Sequence, residues 1–201
     1  MDSLFIIYKM NNSIIPVIKE LERIYDALAI EFKLKYTRPI ITVQSKGRQK
    51  VLGWHWEDKW ERGKQTISEI NICAEELNNN PIETLVHEIV HYSNTCEKIK
   101  DCNSQQYHNK AFKIKAESYG LNVEKDGRHG WGLTSLSDNL KKIIEKIKPN
   151  EVTFKLYRKT HLTITAPTKM KKYSCGCTTI RCATILEAKC LRCNNNFEEK
   201  E

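Results

Sequence analysis

No stretch of this 201-residue chain approaches the ~20 consecutive apolar residues that cross a bilayer. The opening Leu4-Phe5-Ile6-Ile7-Tyr8 run is too short for the apolar core of a signal peptide, and no basic residue precedes it. A membrane partner is therefore not expected, and the expected compartment is the cytoplasm, with nucleoid association open to it. Without an export signal, eight cysteines point to metal ligation or free thiols before disulfides. At 40% hydrophobic and 29% charged, the composition is that of a globular domain with room for a small appended module.

Within that frame the most informative residues are His87-Glu88-Ile89-Val90-His91. Residues four apart on a helix share a face, so both imidazoles can reach one metal ion while Glu88, one step round, is placed as a general base. Asn80-Pro81-Ile82-Glu83 reads as a helix start, with Asn80 as N-cap, Pro81 in the first turn and Glu83 completing a capping box. Ile82, Leu85, Val86, Ile89 and Val90 cover the remaining directions, which predicts a buried helix. Two imidazoles and a carboxylate buried without partners would be costly, and a metal ion is the most economical partner.

A catalytic zinc site needs a third protein ligand and an open fourth position. The metzincin spacing is absent, since Asn94 and Glu97 stand where that pattern requires glycine and histidine. Of His55, His108, His129 and His161, only His108 directly precedes a new helical pattern, in which Ala111, Phe112, Ala116 and Tyr119 share a face and Gly120 stops the helix. Glu117, on the same helix, is the rival ligand.

Glu83-Thr84-Leu85-Val86-His87-Glu88-Ile89-Val90-His91, Tyr107-His108-Asn109-Lys110-Ala111-Phe112 and Gly130-Trp131-Gly132-Leu133-Thr134 closely resemble the SprT-like zinc metalloproteases, from about residue 14 to the C-terminus. The resemblance implies that His108 is the third ligand. It also implies a protein substrate associated with or crosslinked to DNA, as for the related Spartan proteases.

The formal charge of +8 is unevenly placed. Between Lys141 and Lys172, ten Lys and Arg meet only Glu145 and Glu151. Such a segment suits phosphate contact without sequence preference, with Lys169, Lys171 and Lys172 as candidates, and suits a solvated linker equally well. Cys175, Cys177, Cys190 and Cys193 form C-x-C, twelve residues, then C-x-x-C, a pattern able to hold a second, structural zinc. A tail this short buries little core, so metal binding would supply its folding energy as a zinc ribbon, with Cys182 as a competing thiol. Cys73 reads as a core residue, and Cys96 and Cys102 as bystanders.

The expected architecture is α+β and zincin-like. A metalloprotease domain over 1–140 is followed by a basic linker over 141–172 and a zinc ribbon over 173–201. Val17, Leu21, Ile24, Tyr25, Leu28 and Phe32 predict a helix over 14–34. Strands are expected at Pro39–Val43, Lys50–Trp56 and Thr66–Cys73, the last two joined by a turn around Gly63. Leu140, Ile143, Ile144 and Ile147 predict a helix ending before Pro149, and Val152–Tyr157 and His161–Thr165 read as strands. Trp54, Trp56, Trp60 and Trp131 are each expected to pack rather than to stack nucleobases. The function expected is zinc endopeptidase, with Glu88 as base and Tyr92, Tyr107 or His129 as possible oxyanion donors. The alternative is a DNA-binding zinc adaptor without protease activity.

Overall fold

Helix α1 (Ile15–Glu31) forms where the apolar spacing places it, and buries Val17, Leu21, Ile24, Tyr25 and Leu28 on one face. It belongs to a computed structural model that describes residues 12–47, 50–159 and 170–200. The chain is mixed α+β and divides into two units, Met1–Thr160 and His161–Glu201. The expected strand at His161–Thr165, the Leu4–Tyr8 run and Lys169 lie outside the described residues.

Three strands follow α1: β1 (Ile40–Gln44), β2 (Gly53–Arg62) and β3 (Gln65–Cys73), in sheet order β1-β3-β2. β1 runs parallel to β3, and β2 antiparallel, with Gly63 supplying the positive φ of the β2–β3 turn. Ile41, Ile70 and Ile72 carry one face of the sheet into the core shared with α1. On the other face, Trp54 and Trp60 donate indole N–H bonds to the buried Glu69 carboxylate at 3.2 and 2.8 Å. The packing expectation fails for Trp56 and Trp60, which are 53% and 43% exposed. Between them the register shifts around Asp58, at φ +48, and the far half of the hairpin leaves the core.

Helix α2 (Pro81–Cys96) starts at the predicted proline but without the predicted cap. Asn80 adopts φ +50 and its side chain makes no cap bond. Glu83 does not complete a capping box either; burial raises its carboxyl, with the Leu136 backbone as a partial counterweight. Leu85, Val86, Ile89 and Val90 are fully buried, each contributing about 1.5–3 kcal/mol of gross stabilisation. That burial anchors the helix that carries His87, Glu88 and His91.

Helix α3 (Lys110–Ser118) is capped by Asn109, whose Oδ1 accepts from the backbone N–H of Ala111 and Phe112, and the chain turns at Gly120 as expected. The next element was not expected from the sequence: a hairpin of β4 (Leu121–Asp126) and β5 (Gly130–Leu136). Helix α4 (Asp138–Ile147) is capped by Ser137 and buries Leu140 and Ile144. Residues 141–159 thus belong to the first unit, where a linker was expected. The strand expected at Val152–Tyr157 is instead a short 3-10 turn, Thr153–Lys155, in which Phe154 alone is buried. Its β-favouring composition finds no partner strand among the described residues, so one anchoring side chain sets the conformation.

In the second unit β6 (Lys171–Ser174) pairs antiparallel with both β7 (Thr179–Cys182) and β8 (Glu198–Lys200), in order β7-β6-β8. Tyr173 is buried between exposed Lys172 and partly buried Ser174, so one sheet face turns inward and the other to solvent.

Candidate metal centres

His87 and His91 stand one helical turn apart on α2, and His108 reaches them from the start of α3. The Nε2 of His108 lies 3.3 Å from that of His87 and 3.1 Å from that of His91. Each ring is fixed from behind through Nδ1: His87 by the Thr134 hydroxyl at 3.1 Å, His91 by Asp101 Oδ2 at 2.8 Å, and His108 by the His129 carbonyl at 3.0 Å. Phe112 underlies all three, with ring centroids 4.5–4.8 Å away.

A carbonyl and a carboxylate only accept, so the Nδ1 atoms of His91 and His108 carry the protons and their Nε2 atoms present lone pairs. Two lone pairs 3.1 Å apart, with a third nitrogen at 3.3 Å, repel unless a cation lies among them. The separations are close to the ~3.3 Å expected between nitrogens at ~2.05 Å around a tetrahedral ion. The donor set therefore fits a metal ion.

Burial pushes His87 well below its ordinary value and lowers His108 too. At His91 burial acts in the same direction, but the Asp101 hydrogen bond and the Glu88 and Asp101 charges prevail and raise it. Asp101 is lowered: burial alone would raise it, and the bond to His91 overcomes this. Burial pushes the Glu88 carboxyl up to about 7.

His108 is held on both sides by backbone. Its N–H donates to the His129 carbonyl at 2.9 Å, its own carbonyl accepts from Trp131 at 3.1 Å, and Asn109 N–H reaches the Asp101 carbonyl at 2.9 Å. Two glycines make this approach possible. A Cβ on Gly130 would stand 2.2 Å from the His108 carbonyl oxygen, and one on Gly132 2.5 Å from His108 Nδ1. Gly53 plays the corresponding part for β2 above α2, where a Cβ would lie 2.8 Å from Thr84 Cγ2 and 3.3 Å from Glu88 Oε1.

Every predicted member of this centre is brought together, and the rival is not. Glu117 is exposed and pairs with Lys113 at 3.6 Å. Asn94 donates to Asp101 at 2.9 Å, and Glu97 pairs with Lys115, so the two positions that break the metzincin pattern have other uses. Tyr92 donates to the Thr37 carbonyl, which removes it as an oxyanion donor. Sequence reasoning missed Asp101 and Gly53, and it quoted Gly130, Gly132 and Thr134 only as part of a resembling segment, without a role at the site.

The second unit gathers Cys175, Cys177, Cys190 and Cys193. Cys177 Sγ lies 3.5 Å from that of Cys175 and 3.6 Å from that of Cys190, near the ~3.8 Å of thiolates around a tetrahedral zinc. Backbone N–H groups of Cys193 and Arg192 hold the Cys190 thiol below its usual range, while hydrogen bonds with the other three sulfurs raise Cys177. A site favouring one thiolate but resisting a second fits an added cation. Cys182 stands apart, 3.5 Å from the Thr184 hydroxyl, and does not compete. Cys73 is fully buried, as expected of a core residue. Of the candidate phosphate contacts, Lys172 is exposed, whereas Lys171 is paired with Glu199 at 2.9 Å.

Among the described residues no helix is long and apolar enough to cross a membrane. Comparison with known proteins finds no matching family model, no similar curated protein and no similar solved structure.

Proposed function

We propose that the chain is a zinc-dependent endopeptidase of the SprT-like type, with a zincin-like catalytic unit and a zinc ribbon, acting on proteins associated with or crosslinked to DNA. One observation carries the reading: three imidazole Nε2 atoms converge, each ring oriented from behind, with the buried Glu88 carboxylate one residue from the first of them. A zinc ion on these nitrogens would supply Lewis acidity, polarising water and the scissile carbonyl. Glu88 takes the proton of the attacking water and later delivers it to the departing amine, so that one C–O bond forms as the C–N bond breaks. Asp101 and the His129 carbonyl keep His91 and His108 in the ligating tautomer, and Thr134 helps to fix the orientation of the His87 ring.

The test is incubation of the purified full chain with a DNA-binding protein, with and without single- and double-stranded DNA, beside Glu88→Gln and chelator-treated controls. Fragments that need both Glu88 and metal are expected. Fragments produced equally by the Glu88→Gln variant, or none with any substrate, would sink the peptidase reading and favour a DNA-binding adaptor.

A further inference from the structure

Strand β2 follows one ridge of α2. Gly53 lies over Thr84 and Glu88, where a Cβ would stand 2.8 Å from Thr84 Cγ2 and 3.3 Å from Glu88 Oε1. Two residues on, the His55 ring lies 5.8 Å from that of Tyr92. Thr84, Glu88 and Tyr92 are spaced four apart and share a face of the helix. A two-residue advance along a strand, about 6.6 Å, is close to the helical pitch of about 5.4 Å, so strand and helix stay in contact over this ridge.

The register decides where the strand's backbone groups point. Among the described residues β2 stands at the edge of its sheet, with β3 on one side. The N–H of Cys73 donates to the Leu52 carbonyl at 2.9 Å, and pairing continues as Gly53 with Ile72, Trp54 with Asn71 and His55 with Ile70. Alternate residues of an antiparallel strand turn their N–H and C=O groups towards the partner. Leu52 and Trp54 therefore face β3, and the backbone groups of Gly53 and His55 face the free edge. On that side the His55 N–H acts on the Glu88 carboxylate and favours its charged form, while no described side chain hydrogen-bonds to that carboxylate.

We infer that β2 positions the general base: the His55 amide fixes the Glu88 carboxylate, and Gly53, lacking a side chain, lets the strand come close enough to do so. The inference rests on the peptidase reading, in which Glu88 takes the proton of the attacking water. Helix α2 fixes only the root of Glu88, whose carboxylate lies beyond several rotatable bonds with alternative rotamers. An amide on the neighbouring strand selects one orientation before substrate arrives, leaving the second oxygen for proton transfer. Such preorganisation lowers the barrier without touching the substrate. His55 and Gly53 are positioning residues in this sense, and the part of His55 that matters is its backbone.

Two measurements on the full chain test this. The first is amide hydrogen exchange followed by NMR. An amide on a free strand edge exchanges readily unless something holds it, so His55 N–H should be protected in the parent chain and lose about 10-fold or more of that protection in Glu88→Ala. Gly53→Ala should cost the same protection, because its Cβ, 2.6 Å from the Asn71 carbonyl oxygen and 2.8 Å from Thr84 Cγ2, forces the strand off the helix. The second is hydrolysis of a small peptide. His55→Pro removes the amide hydrogen where it serves no ladder bond, and kcat should fall about 10–100-fold, as for loss of one hydrogen bond to a charged group, with KM and both metal ions retained. His55→Ala keeps the amide and should keep kcat within about threefold.

A freely exchanging His55 amide in the parent chain overturns the inference, even where His55→Pro does not fold. So do protection unchanged by Glu88→Ala or Gly53→Ala, full kcat in His55→Pro, and equal losses of kcat in His55→Pro and His55→Ala. Exchange needs no turnover. A chain that protects the His55 amide through Glu88 yet cleaves nothing would refute the peptidase reading and leave the contact standing.

Discussion

Asp101 joins two residues of α2 through one oxygen: its Oδ2 lies 2.8 Å from Nδ1 of His91 and accepts from the Asn94 amide at 2.9 Å. The carboxylate thus orients a ligand whose own helix also holds the carboxylate in place. Asp101→Asn keeps the size of the side chain and removes the charge that favours the Nδ1–H tautomer. Affinity for zinc at the histidine centre should fall by about 10–100-fold, measured by competition with a chelator. An unchanged affinity would reduce Asp101 to a packing residue.

Glu88→Gln separates base from ligand. The amide cannot take a proton from water, whereas the three imidazoles are untouched. Peptide cleavage should drop by about 10²–10⁴-fold or more while the full chain keeps two metal ions. Loss of metal in this variant would show that Glu88 contributes to holding the ion.

The close passage of β5 under His108 is tested by Gly132→Ala. Its Cβ would meet His108 Nδ1 at 2.5 Å, so either the ring or the hairpin must shift. Metal analysis should fall from two ions per chain towards one, the cysteine centre being retained. Gly127→Ala is the control, since a Cβ there meets nothing within 4 Å. Equal metal content in the two variants would refute the steric argument.

At the second centre, Cys193→Ser should release the ribbon metal and Cys182→Ser should not. Because the ribbon has little core of its own, losing the ion should also unfold it, seen as protease sensitivity confined to residues after 170. Retention of metal by Cys193→Ser would transfer the fourth position to another ligand.

The residues of the two candidate metal centres were legible because each is written into a local pattern: His87 and His91 by helical spacing, His108 by its place directly before a new helical pattern, the cysteines by knuckle spacing. What was not legible depends on contacts distant in the chain. Thr134 meets His87 across 47 residues, and the Gly130–Thr134 segment, though it carries part of the resemblance, holds no local pattern that names its partner. Leu121–Asp126 and Gly130–Leu136 lack a strong two-residue alternation, and their hairpin is specified as much by the glycines under His108 as by its own strands. Asn80 and Glu83 failed in the opposite way, since a good local cap signal was overridden where the chain enters the helix at positive φ. Trp60 was misread because a bulge, which carries no residue-type signature here, turns the far half of the hairpin away from the core, and Trp56 because it stands opposite Glu69, on the sheet face that Ile70 and Ile72 do not share.

The dependence of His108 on the His129 carbonyl sets it apart from the other two imidazoles. His87 and His91 form a half-site as soon as α2 is helical, since one turn separates them. His108 takes its orientation only when the β4–β5 turn has closed against it, a contact between segments about twenty residues apart. The third imidazole thus rests on a tertiary contact, and the first two on helical geometry alone. Substitutions at the β4–β5 turn, remote from the three Nε2 atoms, are therefore expected to disturb His108 while leaving His87 and His91 in register.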